Sequence, residues 1–323
     1  MASLDTIRKP VINEINTFDS YFKSKVNTSV PMLDMIINYI IRSKGKQVRP
    51  LLVFLSAKMH GSVTEKSFEA AAMIELLHTA TLVHDDIVDE AYERRGTFSV
   101  NALWKSKKAV LIGDFILSKG MLLALEAKNY DLLHSISNAV KEMSEGELLQ
   151  ASVSRSDEIN VEQYYEVIRK KTAVLFAACT LCGCQSVTGI AEVQEKMRAF
   201  GEAMGMAFQI KDDLFDYGDA ADSGKPSGND IKDMKFTLPL ICAAQNAGFE
   251  KKSKLVKQLK KDSGPLTDAA FRRFIMDHQG FEKSAEIMNQ YRSKALSLFA
   301  FFPESDSSKS LAGLVDYVIE RKK

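Results

Sequence analysis

Helical periodicity constrains this chain more than any other feature. Apolar residues recur at three- and four-residue steps along nearly its whole length, and strand-like alternation is almost missing. Two start signals reinforce the pattern. Ser62-x-x-Glu65 has the form of a capping box ahead of the run that ends in "HDDIVDE", and Asn160-x-x-Gln163 has the same form ahead of "VEQYYEVIRKKTAVLFAACTLCGC". Pro31, Pro50, Gly61, Gly96, Pro303 and the stretches at 222–230 and 262–268 interrupt it as helix boundaries; none resembles an interdomain linker. No repeat of fixed period occurs. The expected fold is all-α: a single large helical bundle of ten or more helices around a central cavity, larger than a four-helix bundle.

Composition narrows the partners. The chain has 323 residues, 46% of them hydrophobic, enough to bury a substantial core. With 43 Lys and Arg against 42 Asp and Glu, the net charge is +1, so no global field favours nucleic acid and any anionic ligand must be recognised locally. The longest nearly apolar run, Thr172 to Cys184, is too short to span a bilayer, and "MASLDTIRKPVINEINTF" lacks the apolar stretch of a secretion signal. The expected compartment is the cytoplasm. Cys179, Cys182 and Cys184 cluster, but no second Cys or His group completes a zinc tetrad, so they read as small core residues.

The unusual feature is acidic. On a helix His78, Thr81, Asp85 and Asp89 share one stripe, with Asp86 beside it. Carboxylates brought together on an inward face repel one another and lose hydration, so something cationic must compensate. A second copy, "QIKDDLFDYGD", repeats the spacing at Asp212, Asp213 and Asp216, and there Gly201, Gly205, Gln209, Asp212 and Asp216 share a stripe whose glycines admit a close helix. Two such clusters facing each other would make an oxygen-rich cage suited to Mg²⁺. Cations supply the other half: Lys46 and Arg49 in "RSKGKQVRP", Arg94 and Arg95 in "ERRG", Lys171 beside Thr172, and Lys225 and Lys235 around a glycine-rich loop. The set implies two diphosphate positions, one bridged by Mg²⁺ and one held by cations alone.

In order and spacing, "GKQVRP", "LLHTATLVHDDIVDEAYERRG", "KT", "FQIKDDLFDY" and "GKPSGNDIKDMKFTLPL" resemble the trans-isoprenyl diphosphate synthases, the polyprenyl synthetase family, over about residues 40 to 245. In wording the chain is most similar to long-chain members of octaprenyl type. The resemblance implies one synthase domain over residues 1–323, commonly a homodimer, that condenses isopentenyl diphosphate with an allylic diphosphate. It implies that Asp85, Asp86, Asp89, Asp212, Asp213 and Asp216 hold Mg²⁺. It assigns the allylic diphosphate to Arg94, Lys171, Thr172, Gln209, Lys225 and Lys235, and isopentenyl diphosphate to Lys46, Arg49, His78 and Arg95. Lys44-Gly45 and Gln47 replace the usual double glycine and second basic residue of the first motif, and Met234 replaces a common glycine.

Chain length should depend on the floor beneath the first cluster. Ala80 and Thr81 are small where short-chain relatives carry an aromatic plug. A helical turn of about 5.4 Å is close to one isoprene unit, so each missing layer of side chains admits about one more. A deeper floor is expected at Leu133, Ile136, Val140 and Met143. Other readings are a medium-chain synthase, a noncatalytic partner subunit, or a class I terpene cyclase, whose second metal motif differs from "DDLFD". The lysines of "KKSKLVKQLKK" at 251–261 suit either a solvated face or transient contact with an anionic membrane during product delivery.

Overall fold

A computed structural model describes residues 3–42, 45–94, 96–217, 235–263 and 266–321. The chain starts with α1 (Leu4–Arg8), a 3₁₀ turn, α2 (Ile12–Lys25) and α3 (Pro31–Arg42), followed by α4 (Val48–His60) and the long α5 (Glu65–Val88). A two-residue antiparallel hairpin, β1 (Glu93–Arg94) and β2 (Thr97–Phe98), then leads to α6 (Val100–Trp104), α7 (Ser106–Glu126) and α8 (Tyr130–Arg155). Next come α9 (Val161–Ile168), α10 (Val174–Gln185) and α11 (Ala191–Asp216). The remainder is α12 (Leu238–Asn246), α13 (Lys252–Ser263), α14 (Asp268–Asp277), α15 (Gly280–Ser297) and α16 (Asp306–Glu320). The all-α expectation of ten or more helices holds among the described residues.

The centre of the bundle is α10, which is apolar on every side because α4, α5, α8 and α11 all pack against it. Cys179, Cys182 and Cys184 lie on it as buried free thiols, with burial pushing Cys179 and Cys184 up to about 12. That is the behaviour of core residues, as their composition suggested. The buried side chains form a cluster reaching from Ile7 on α1 to Ile319 on α16.

Helix boundaries follow local chemistry, with two corrections. Asn160 caps α9 as expected, its side chain accepting from the Gln163 amide at 3.0 Å. Ser62 does not cap α5; Thr64 does, and Ser67 reaches back to accept from the Thr64 amide at 3.1 Å. The start sits two residues later because the Ser67 hydroxyl is also held by Ser186, at 2.6 Å, on the segment after α10. Pro50 does not break its helix either. It sits in the first turn of α4, where a missing amide costs nothing because such amides have no intrahelical acceptor. Gly96 turns the hairpin at φ +74, a conformation that disfavours side chains. The lysine-rich 251–261 stretch forms most of α13, anchored by buried Leu255 and Leu259. Lys252 is also buried, donating to the Val153 carbonyl at 2.8 Å.

Candidate active site

The first aspartate cluster occupies the C-terminal end of α5. The helix stops at Val88, and the Asp89 amide closes its last turn on the Asp85 carbonyl at 2.8 Å. Inward and outward faces differ from the stripe expected from spacing: Asp86 is buried, Asp85 half-buried and Asp89 exposed. Asp86 tolerates burial because Arg94, presented by the hairpin, donates to it at 2.7 Å. Burial, with Glu147 close by, pushes Asp85 up to about 6 against the pull of Lys171.

The helix expected around Lys171 and Thr172 is not a regular one. Arg169–Ala173 forms a π-helical turn between α9 and α10, widening the backbone at the two residues that carry the site's chemistry. Two glycines make room for it. A Cβ on Gly146 of α8 would lie 2.9 Å from the Lys171 nitrogen, and one on Gly205 of α11 would lie 2.5 Å from Ala173 Cα. Held between these helices, Lys171 donates to Glu147 at 2.8 Å and to Gln150 at 2.7 Å, both on α8.

The second cluster ends α11. Gly201 and Gly205 pack against α10 and the π turn, as the glycine stripe predicted. Asp213 is buried; its carboxylate accepts from Tyr164 Oη at 2.6 Å and from Gln209 Nε2 at 2.9 Å. Burial raises Asp213, and these two hydrogen bonds pull against the rise. Gln209 in turn accepts from Thr172 at 2.8 Å. Asp212 pairs with Arg321, just past α16, whose guanidinium lies 4.1 Å from the centre of the Phe208 ring.

Two cavities gather these side chains. One, of about 470 Å³, is lined by Lys46, Arg49, His78, Asp86, Arg94 and Arg321. The other, of about 280 Å³, is lined by Asp89, Asp213 and Asp216 from both clusters, together with Lys171, Thr172, Gln209 and Lys235. Arg94, which the resemblance assigned to the allylic diphosphate, bonds Asp86 of the first cluster and lines the first cavity. Arg95 and Lys225 lie outside the described residues. Ala80 is buried, and Thr81 is half-buried, donating to the His78 carbonyl at 2.9 Å. On α8, Ile136 is buried, and Leu133, Val140 and Met143 pack against the core.

Sequence reasoning missed Tyr164, Glu147, Gln150 and Arg321. Glu147 and Gln150 share a face of α8 beside Gly146, a legible cue. Tyr164 and Arg321 offer none, since their roles depend on which helices meet.

As for metal, among the described residues no group of three acidic, His or Cys side chains is already gathered into a cage. Carboxylates from both helix ends nevertheless line one cavity. That donor set suits a hard divalent cation that keeps water and takes substrate phosphate as further ligands.

This helical architecture is that of an isoprenoid synthase. A family model described as polyprenyl synthetase matches residues 30–271. The all-trans-nonaprenyl-diphosphate synthase (geranyl-diphosphate specific) of Rhodobacter capsulatus is 32% identical, over 98% of this chain and 97% of that protein. The crystal structure of a polyprenyl synthase from Caulobacter crescentus CB15, complexed with calcium and isoprenyl diphosphate, is similar at TM-score 0.87 and 30% identity, covering 99% of this chain and 98% of that one. A geranylgeranyl pyrophosphate synthase from Bacteroides thetaiotaomicron reaches TM-score 0.81 at 36% identity, covering 98% of this chain and 99% of that one. The chain belongs to the polyprenyl synthetase family. It is a prenyltransferase, condensing isopentenyl diphosphate with an allylic diphosphate.

Proposed function

We propose that this prenyltransferase is magnesium-dependent and makes a long all-trans polyprenyl diphosphate. The observation that carries the reading is the pair of cavities: one lined by cations, one by carboxylates from both helix ends with Lys171 and Lys235. The allylic diphosphate belongs in the second, which Asp89, Asp213 and Asp216 line and beside which Asp85, Asp86 and Asp212 complete the set of carboxylates that would hold Mg²⁺. Bound Mg²⁺ would supply the positive charge that lets the diphosphate leave.

Lys171 and Lys235, with Lys225 from the sequence assignment and Arg94 reaching from the first cavity where it bonds Asp86, neutralise the departing diphosphate from the protein side. Thr172 and Gln209 turn their dipoles toward the allylic carbon as its C–O bond ionises. Lys46, Arg49, His78 and Arg95 hold isopentenyl diphosphate, and Arg321 joins them from α16. The double bond of isopentenyl diphosphate attacks the cation, and the departing diphosphate takes the proton whose loss restores the alkene. Apolar walls, including Phe176 and Phe208 in the first cavity, keep out water that would quench the cation.

Long product is supported by small Ala80 and Thr81 and by the nonaprenyl-forming relative. The identity to a geranylgeranyl pyrophosphate synthase favours a second, medium-chain reading. We further read the chain as one domain and a cytoplasmic homodimer: its four cysteines are free, and Leu111, Leu122 and Leu125 leave α7 with an exposed apolar face. Among the described residues no helix is long and apolar enough to cross a membrane, and contact with one would be transient, through the exposed lysines of α13. The test is incorporation of radiolabelled isopentenyl diphosphate by this chain alone, with dimethylallyl, geranyl or farnesyl diphosphate and Mg²⁺, and mass spectrometry of the product. No incorporation with any primer refutes the reading.

A further inference from the structure

We propose that Tyr164 is a positioning residue for prenyl transfer, acting through Asp213 to fix which way the Gln209 amide faces; this rests on the reading above. Tyr164 is buried on α9 and lines the same cavity as Asp213, Gln209 and Thr172. Its hydroxyl donates to Asp213 Oδ2 at 2.6 Å, and Gln209 Nε2 donates to Asp213 Oδ1 at 2.9 Å. Thr172 Oγ1 donates to Gln209 Oε1 at 2.8 Å.

The chain of bonds has a direction. A glutamine amide has nearly the same shape either way round, so its neighbours decide its orientation. Asp213 Oδ1 accepts the Gln209 amide hydrogen at 2.9 Å, so it faces the NH₂ end of Gln209. The carbonyl end is thereby left to Thr172, on the side of the π turn. Reversing the amide would set an oxygen against a carboxylate oxygen.

Tyr164 makes this arrangement rigid. With Oδ2 committed to the tyrosine hydroxyl, Oδ1 is the oxygen presented to Gln209. Without that hydroxyl, the buried carboxylate loses a donor and is free to turn about its side-chain torsion, and the Gln209 carbonyl loses its fixed place against Thr172. The ring itself packs edge-on against Tyr165 with centroids 5.6 Å apart. Phenylalanine keeps that packing and removes only the hydroxyl.

The experiment compares Tyr164→Phe, Gln209→Ala and the double variant, with Tyr165→Phe as control. Steady-state transfer to isopentenyl diphosphate is measured alongside calorimetric binding of Mg²⁺ with inorganic diphosphate. In Tyr164→Phe, kcat should fall about ten- to a hundredfold, while KM for isopentenyl diphosphate and the calorimetric affinity stay within about twofold. The control should match the wild type, and the double variant should be no slower than Gln209→Ala, because the tyrosine acts through that residue. A Tyr164→Phe protein with wild-type kcat overturns the inference, as does a double variant whose losses multiply. Weakened diphosphate binding in Tyr164→Phe also overturns it, since the residue would then act on the metal end. A wild-type chain that incorporates nothing overturns the functional reading itself, whereas an active wild type with an unaffected Tyr164→Phe overturns only this inference.

Discussion

Replacing Gly205 with alanine should separate the two halves of the proposed transfer centre. The new Cβ would lie 2.5 Å from Ala173 Cα, 3.0 Å from Ala173 Cβ and 3.1 Å from Phe176 Cβ, whereas ordinary contact begins near 3.4 Å. The nearest obstacle is backbone, so no side-chain rotation relieves it, and α11 must draw away from the π turn by about 1 Å. Overpacking of this kind costs about 1–3 kcal/mol. For a chain of this size each kcal/mol lowers Tm by about 2 °C, so calorimetry should show a drop of about 2–6 °C. Activity should fall further than stability. Lys171 and Thr172 sit on one side of the contact and Gln209 and Asp212 on the other, and a displacement of about 1 Å between such groups costs about a hundredfold in kcat. KM for isopentenyl diphosphate should change less, because Lys46 and Arg49 stand on α4 and the segment before it, and the clash reaches their cavity only through Phe176. Gly201→Ala is the internal comparison: its Cβ would meet Thr180 and the Phe176 carbonyl, one turn further from the site, so it should destabilise at least as much and slow catalysis less. A Gly205→Ala protein with unchanged Tm and kcat would refute the close-approach argument, and equal kcat losses in the two variants would refute its link to the site.

Three further outcomes are expected. Ala80→Phe should shorten the product, and an unchanged product distribution by mass spectrometry would sink the steric floor. Arg321→Ala should raise KM for isopentenyl diphosphate about tenfold, the loss of about 1.4 kcal/mol of binding, with Tm within about 2 °C; an unchanged KM would remove Arg321 from that pocket. Asp85 is an acid raised from 3.8 to about 6 in the folded protein, so it binds its proton more tightly folded than unfolded. The stability it contributes is complete below about 4 and lost as pH rises through about 6. Without metal, the Tm advantage of Asp85→Asn over wild type should therefore grow between pH 4.5 and 7, and a difference independent of pH would contradict the burial of this carboxyl.

Much of the fold was legible because amphipathic helices announce themselves locally: period and glycine stripe alone placed α5, α11 and their aspartates. The spacing of Asp85, Asp86 and Asp89 also told that a cation must be near. It could not tell that Asp86 would be the buried one, because the helix ends at Val88 and the hairpin folds back to bring Arg94 against it. The π turn left no signature in "RKKTA", since its widening comes from the neighbours α8 and α11. Tyr164 and Arg321 were invisible for the same reason: each meets the site through residues distant in sequence, Asp213 for one and Asp212 for the other.

The π turn at Arg169–Ala173 carries a consequence for how this chain can change. A π turn holds one residue more than an α turn over the same rise, so deleting a residue there would yield a perfectly good helix. Because the rise is unchanged, α9 and α10 would keep their register, and only Lys171 and Thr172 would lose the widened backbone that presents them. α10 would also keep its close packing, which Gly183 permits against α4 and Gly201 against α11. The lesion would therefore spare folding and strike the placement of Lys171 and Thr172 against Gln209, making this short stretch intolerant of a deletion that the rest of the bundle would not feel.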